Sequence, residues 1–155
     1  MGHPHTFVAA SCSFTLFLAQ ATFALAAEPA PAANTLALEL GGTSYVASLG
    51  YERRVFDFFA LRMGAGAMRF CSETCKTVWL APASASVLIG RTAHLLETGV
   101  GVLGLSLDPS ILPVGVLGYR YHPPQGGLVL RLAFTPFLVR ERVLPWGGAL
   151  VGYSF

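Results

Sequence analysis

From Thr35 to the C-terminus, large apolar residues alternate with small or charged residues, one position at a time. The segment 36–40, "LALEL", carries leucine at every second position, with Ala37 and Glu39 between the leucines. The segment 128–134, "LVLRLAF", repeats this pattern around Arg131. Successive side chains of a β-strand point to opposite faces. This period of two therefore predicts strands with one large apolar face and one face of small or charged residues.

Eight segments of this kind follow one another, and clusters of Gly, Pro, Asp and Ser that favour turns separate them. The predicted strands are residues 35–42, 45–54, 59–70, 77–89, 94–107, 114–122, 128–139 and 146–155. No helical periodicity of useful length is present, because β-branched residues, Gly and Pro are spread throughout. The chain is therefore predicted to be all-β.

The composition of the two faces indicates which one points outward. Only 12% of the residues are charged, against about 25% in typical proteins. Yet the region after residue 27 has no run of about 20 apolar residues, as a spanning helix needs. A soluble barrel would expose mainly Gly, Ala and Ser, and its large side chains would compete for a narrow interior. The inverse arrangement predicts an eight-stranded antiparallel up-and-down transmembrane β-barrel with Leu and Tyr facing lipid.

The small-residue face carries about one charge per strand. The residues predicted to meet in the lumen are Glu39, Glu52, Arg62, Glu97, Arg120 and Arg131. Three acids balance three arginines, and buried charges are tolerated only when they are paired. This predicts an ion-paired, plugged lumen with no open pore. The alternative, that charges lie at the rims in water, stays open for Glu52 and Arg120.

The first 27 residues differ from the rest of the chain. The stretch Phe7–Ala27 has no charged residue and ends in small residues that fit a cleavage site. We predict a secretory signal peptide at 1–27, a flexible Pro/Ala spacer at 28–34 and the barrel at 35–155. An N-terminal membrane anchor and a lipoprotein at Cys12 are the alternatives.

Two cysteines, Cys71 and Cys75, follow the predicted leader. In an exported protein, so close a pair is expected to form a disulfide across a loop tip, with free thiols as the alternative. A metal site would need more ligands, and no His or second Cys pair lies near them in the sequence. We expect no metal and no cofactor.

Aromatic residues cluster near the predicted strand ends, as in the girdles that mark the two membrane interfaces. They are Tyr45, Tyr51, Phe56, Phe58, Phe70, Trp79, Tyr121, Phe137, Trp146, Tyr153 and Phe155. In the last strand, Ala149, Val151, Tyr153 and Phe155 are predicted to face lipid. Leu150 is then the one large residue among small ones on the lumen face.

The mature region resembles the small eight-stranded outer-membrane β-barrel proteins of Gram-negative bacteria, which include the transmembrane domain of outer-membrane protein A. The segment 117–138, "LGYRYHPPQGGLVLRLAFTPFL", is similar to short, uncharacterised members of this group, as are "LALELGG", "GYERR" and "GYSF". The resemblance implies a fold and an outer-membrane location but no activity.

The ending Tyr153-Ser154-Phe155 resembles the aromatic-x-aromatic signal that the barrel assembly machinery recognises, although Leu150 stands where that signal usually has Gly. The resemblance implies that this machinery is a partner of the C-terminal strand. Outer-membrane lipids and lipopolysaccharide are the other expected partners. A net charge of +2 without a basic, aromatic-rich cluster argues against nucleic acid. We expect a monomer.

Some barrels of this size resemble lipid A-modifying enzymes with a Ser, a His and a carboxylate. After the predicted leader the histidines are His94 and His122, both expected at periplasmic turns, and no serine is placed near either by the sequence. We therefore predict a non-enzymatic structural or interaction barrel of the outer membrane. Two alternatives stay open: a lipid A-modifying outer-membrane enzyme, and a soluble periplasmic barrel that binds a small apolar ligand.

Overall fold

The computed structural model describes residues 32–71, 75–106 and 111–155, so the predicted signal peptide and residues 28–31 of the predicted spacer lie outside the described residues. Within these ranges the strands are β1 Asn34–Gly41, β2 Ala47–Phe56, β3 Phe59–Cys71, β4 Cys75–Arg91, β5 His94–Leu105, β6 Ile111–Tyr121, β7 Gly127–Phe134, β8 Phe137–Val139, β9 Arg142–Leu144 and β10 Gly147–Ser154. One turn of 3-10 helix, Gly42–Ser44, joins β1 to β2. Among the described residues, no helix has the length and hydropathy needed to span a bilayer.

The strands form a closed antiparallel barrel. From β1 to β7, each strand pairs with the next along the chain, and β10 pairs with both β7 and β1. The short strand β8 continues β7 after a break at Thr135 and Pro136, and it pairs with β6 and β9. The wall therefore has eight strands, since β7 with β8 and β9 with β10 each make one. The predicted eight-stranded antiparallel barrel is confirmed.

The last strand closes the barrel on the first. The register between β1 and β10 runs from Thr35 opposite Ser154 to Gly41 opposite Gly148. Beyond it, the backbone N–H of Phe155 donates to the carbonyl of Asn34 at 2.8 Å, and the N–H of Asn34 donates back at 3.1 Å. We call this end of the barrel the terminus end. The opposite end, with the turns after β1, β3, β5 and β8, is the loop end.

Several strand boundaries differ from the predicted ones. β4 extends over Cys75–Arg91, and β6 begins at Ile111 instead of residue 114. Residues 142–144, predicted to lie in a turn, form β9 and extend the last hairpin. This hairpin turns at Arg140 and Glu141, both with positive φ. Such two-residue turns favour Asn and Gly, so a turn made by Arg and Glu has no sequence signal.

The two faces of the wall follow the predicted alternation. In β7, Leu132 is 65% exposed on the outside, whereas Arg131 is 2% exposed on the inside. In β10 the unusual inward residue, Leu150, is buried against Ala37 and Val129, so it fills a gap between small neighbours. The outer surface therefore consists mainly of large apolar side chains.

At the start of β2 the predicted faces are wrong. A period of two through the predicted strand 45–54 places Tyr45 outside with Leu49 and Tyr51, and Val46 inside. In the structure Tyr45 packs against the interior and Val46 is exposed. The cause is the 3-10 turn before β2, after which Tyr45 has φ of 68° and shifts the alternation by one position. A left-handed conformation is uncommon for a bulky residue, so the sequence pattern does not reveal it.

Three of the residues predicted for the aromatic girdles instead pack inside the loop end. The ring of Tyr45 stacks on Trp146 with centroids 4.8 Å apart, and Tyr45 meets Phe137 edge-on at 5.9 Å. Exposed on the surface of the barrel are Tyr51, Phe56, Phe58, Trp79, Tyr153 and Phe155. Tyr121 is partly exposed, and the side chain of Phe70 lies outside the described part of the chain.

We predict that Gly99→Ala destabilises the barrel. A Cβ at Gly99 would collide with the Ala85 carbonyl and lie 2.8 Å from the Cα of Ser86, in the neighbouring strand. Overpacking of this kind costs about 1–3 kcal/mol. The matched control is Gly104→Ala on the same strand, where the nearest atom is 3.6 Å away. In urea unfolding of the refolded barrel, the free energy of unfolding should fall for Gly99→Ala and stay unchanged for Gly104→Ala. An equal fall in both variants would contradict the packing argument.

Candidate functional site

The six charged residues predicted for the lumen all face the interior, and none is more than 7% exposed. Each comes from a different strand: Glu39 from β1, Glu52 from β2, Arg62 from β3, Glu97 from β5, Arg120 from β6 and Arg131 from β7. Glu52 and Arg120, for which the sequence left a rim position open, are buried with the others. The structure therefore brings all six side chains together in one layer of the barrel.

These side chains alternate in sign around a closed ring, which we call the charge ring. In order they are Glu39, Arg62, Glu52, Arg120, Glu97, Arg131 and again Glu39. Every carboxylate bridges two guanidinium groups, and every guanidinium group bridges two carboxylates. No member therefore lacks an opposite charge, which offsets part of the cost of burying the six charges. The nitrogens of Arg62 contact their carboxylates as ion pairs without a hydrogen bond among the described residues.

The contacts around the charge ring range from hydrogen-bonded pairs to longer ion pairs. Arg62 Nη1 lies 3.1 Å from Glu39 Oε2, and Arg62 Nε lies 3.5 Å from Glu52 Oε2. Arg120 holds both oxygens of Glu52 in a bidentate pair. Its Nη2 also lies 3.0 Å from Glu97 Oε2.

Arg131 completes the ring. Its Nε lies 3.0 Å from Glu97 Oε2, and its Nη1 lies 3.1 Å from Glu39 Oε1. The bonds from Arg120 to Glu52 and from Arg131 to Glu39 each join residues far apart in sequence. The charge ring therefore links strands that lack direct backbone pairing, such as β2 and β6.

Two neutral residues that sequence reasoning missed support the carboxylates. Thr43 donates from its hydroxyl to Glu39 Oε2 at 2.7 Å and from its backbone N–H to Glu39 Oε1 at 3.2 Å. Ser86 donates to Glu97 Oε1 at 2.9 Å. The alternation of side chains along β4 could have indicated Ser86, because it places this residue on the inward face. No pattern marks Thr43, because it lies in a turn.

The 3-10 turn Gly42–Ser44 folds into the barrel instead of standing above it. All three of its residues are buried, and besides β1 and β10 the turn contacts β3, β4 and β5. A Cβ at Gly42 would overlap the Glu39 carboxylate, and φ there is 58°. Glycine is needed at this position, since only its small size and left-handed freedom let the turn sit on the charge ring.

The loop end of the interior is apolar. A buried cluster there consists of Val78, Leu80, Leu103, Val114 and Phe137. Partly buried residues around it are Tyr45, Met68, Leu105, Leu112, Val139 and Trp146. The interior is therefore divided into a charged layer and an apolar layer on its loop side.

At the terminus end, His122 lies 1% exposed in the turn after β6, and its Nε2 is 3.0 Å from Ser154 Oγ. Ser154 also donates to the carbonyl of Ala32 at 3.3 Å. Burial, aided by the nearby positive charges of Arg54 and Arg120, lowers the pKa of His122 to about 4. The imidazole is therefore neutral at pH 7.

A serine at hydrogen-bond distance from a histidine is one part of a catalytic triad. Here both side chains are enclosed, and His122 Nδ1 has no hydrogen-bond partner among the described residues. The pair connects the β6–β7 turn, the last strand and the segment before β1. This geometry suits a structural tie at the terminus end, because the hydroxyl does not face a cleft.

The other predicted features lie away from the lumen. His94 is exposed on the outer face, and its Nδ1 is 2.5 Å from the Tyr119 hydroxyl, so the two histidines do not meet. Cys71 and Cys75 are joined by a disulfide where β3 and β4 pair at the loop end. Tyr153 and Phe155 are exposed at the terminus end. The described residues contain no group of three metal-ligating side chains.

Comparison with known proteins identifies a likeness of fold. Neither a protein-family model nor a curated protein matches the sequence. The structure is similar to that of the Yersinia pestis outer membrane protein Ail, solved in a phospholipid bilayer nanodisc, with a TM-score of 0.53 and 8% sequence identity. The match covers 80% of this chain and 99% of that one. The chain thus has the fold of a small outer-membrane barrel, as the resemblance in the sequence implied.

We predict that Glu97→Gln destabilises the barrel strongly, because it leaves Arg120 and Arg131 each with one carboxylate less. Breaking a buried pair costs about 3–5 kcal/mol. The control is Glu141→Gln at the exposed β8–β9 turn, expected to change stability by no more than about 0.5 kcal/mol. The free energy of unfolding in urea, measured in lipid vesicles, compares the two.

A second variant separates charge balance from packing. Glu97→Gln combined with Arg131→Gln removes one charge of each sign, so part of the lost stability should return. If Glu97→Gln unfolds like Glu141→Gln, the charge ring does not stabilise the barrel.

Proposed function

We propose that this protein is a non-enzymatic structural or interaction barrel of the outer membrane, with a lumen plugged by the charge ring. The observation that carries the proposal is the inverted arrangement of the wall. Large apolar side chains cover the outside, while a closed ring of alternating charges occupies the inside. A water-soluble barrel requires the opposite arrangement, because it must bury its apolar residues and expose its charges to water.

Lipid contact is supported by the shape of the outer face as well as by its composition. A groove of about 540 Å³ crosses β1, β10, β7 and β6, where the small Ala149 lies between Leu40 and Leu132. Leu38, Leu130 and Val151 continue the same surface. A groove of this chemistry fits the acyl chains of membrane lipids, and a closed barrel leaves no unpaired backbone edge in hydrocarbon.

The plug follows from how the charge ring crosses the interior. Arg120 reaches Glu52 from the far side of the barrel, and Arg131 reaches Glu39 beside the inward turn Gly42–Ser44. Barrels of eight strands have an interior just wide enough for side chains to fill. With six long side chains joined in one layer, we infer that ions have no continuous aqueous path through the barrel.

The proposed partners are lipids, lipopolysaccharide and the barrel assembly machinery, and the protein acts as a monomer. Exposed basic residues at the loop end, Arg140 and Arg142, suit the phosphates of lipopolysaccharide. At the other end Tyr153 is 63% and Phe155 57% exposed on the last strand, which suits recognition by an assembly factor. Export through a signal peptide at 1–27 belongs to the same proposal.

We predict that an arginine on the outer face destabilises the barrel only where it meets lipid. Leu132→Arg, at the middle of the β7 outer face, should cost about 2–4 kcal/mol in a bilayer. The control is Val143→Arg on β9, beyond the main wall at the loop end, which is exposed to the same extent as Leu132, 66% against 65%. The yield of heat-modifiable barrel in the outer-membrane fraction should fall for Leu132→Arg and stay unchanged for Val143→Arg.

The alternatives give different results in the same experiment. A soluble periplasmic barrel would appear in the soluble fraction and accept both arginines equally well, which would overturn the proposal. A lipid A-modifying enzyme would fractionate with the membrane, but His94→Ala or His122→Ala would change the lipid A profile of the cells. An unchanged profile in both variants supports the non-enzymatic proposal.

A further inference from the structure

The apolar layer at the loop end surrounds a cavity of about 240 Å³ inside the barrel, which is partly open to the outside, since its lining residue Leu144 is 42% exposed. Its walls come from three strands, β3, β5 and β6, from Tyr45 just before β2, and from the last hairpin. The lining residues are Tyr45, Met68, Leu103, Leu105, Leu112, Phe137, Val139 and Leu144. None of them carries a charge, and the cavity is separate from the grooves of the outer face. It is also outside the charge ring, none of whose members lines it.

Such a cavity is unexpected in a membrane barrel, whose interior is usually polar. Six charged residues of this lumen are instead collected in the charge ring, and the loop side of the interior is left to Leu, Met, Val and aromatic residues. The Tyr45 hydroxyl is the one polar side-chain group among the lining residues, so the cavity gives water few partners. The chemistry of the walls therefore selects an apolar occupant.

The aromatic side of the cavity is held in place by a strained residue. Tyr45 has φ of 68°, which a bulky residue rarely adopts and which costs on the order of 1–3 kcal/mol. That conformation turns its ring inward, where it stacks on Trp146 and meets Phe137 edge-on. The rest of the structure therefore maintains a costly conformation that shapes this wall.

The volume sets the size of the occupant. Cavities of about 150 Å³ lined by Leu, Ile and Phe bind benzene, so 240 Å³ accommodates a substituted ring or a chain of a few carbons. We propose that the loop-end cavity binds an uncharged hydrocarbon group of this size. The group belongs either to a free apolar molecule or to the end of a lipid acyl chain. The inference concerns the barrel interior and does not depend on the proposed function.

The test uses Trp146, which packs against the apolar cluster. Trp79 lies on the outer face, so Trp79→Phe leaves Trp146 as the single tryptophan of the chain. The refolded full barrel in phospholipid nanodiscs is titrated with bromobenzene, a ring-sized heavy-atom quencher. We expect saturable quenching of Trp146 above the linear background that arises from partitioning into lipid.

A matched pair of variants on β5 locates the site. Leu105→Phe fills the cavity from inside, whereas Leu96→Phe makes the same change on the outer face. In the Trp79→Phe background, Leu105→Phe should weaken the bromobenzene affinity measured by saturable quenching at least tenfold. Leu96→Phe should leave this affinity unchanged. Met68→Phe is a second filling variant, used if heat-modifiable migration shows that Leu105→Phe does not fold.

A second arm identifies the source of the hydrocarbon. Nanodiscs made with lipid brominated at the terminal carbons of its acyl chains replace the bromobenzene titration. If the brominated lipid quenches Trp146 and Leu105→Phe or Met68→Phe removes this quenching, a lipid chain occupies the cavity. If only bromobenzene gives saturable quenching, the occupant is a free molecule. If neither arm gives quenching that depends on the filling variants, the cavity binds no hydrocarbon and the proposal is overturned.

Discussion

The structure depends on the pairing of six charges inside a narrow barrel. An isolated ion in a low-dielectric interior is very costly, and one partner recovers only part of that cost. In the charge ring each side chain has two partners of opposite sign, and Thr43 and Ser86 donate further hydrogen bonds. Because the members come from six strands, the strands must hold one register for the ring to close. The ring therefore constrains the register of these strands.

This interior explains why the wall is built as it is. Long arginine and glutamate side chains need room, and the glycines and alanines of the inward faces leave it. Beside the charge ring, the large apolar residues are then confined to the outside, which only a lipid environment accommodates without cost. The Gly42–Ser44 turn closes the charged layer on its loop side, and beyond it the interior becomes apolar. The charge ring, the Gly42–Ser44 turn and the loop-end cavity thus follow one another along the interior of the barrel.

Much of this arrangement was predictable from the period of two. It identified the inward charges, the outward leucines and the odd position of Leu150, because each depends only on local strand geometry. Features that depend on a phase shift or on distant contacts were not predictable. The positive φ of Tyr45 reverses the alternation at β2, and Arg140 with Glu141 makes a turn without the usual residues. The contact of His122 with Ser154 joins positions far apart in the chain, and no motif marks it.

The order of charges around the ring was also beyond the sequence. The alternation places three acids and three arginines on the inward face. It does not show which acid meets which arginine. That order depends on the stagger of neighbouring strands and on the inward turn after β1. Both are properties of the closed barrel, and a single strand does not contain them.

The most direct measurement is the coupling energy between Glu52 and Arg120, whose side chains form the bidentate pair across the lumen. A double-mutant cycle with Glu52→Gln, Arg120→Gln and both together, measured by urea unfolding in lipid vesicles, isolates this energy. The account predicts a favourable coupling of at least about 1 kcal/mol, with the double variant more stable than the sum of the single losses implies. A coupling energy near zero would show that the two charges do not stabilise the barrel by pairing, and it would contradict the account.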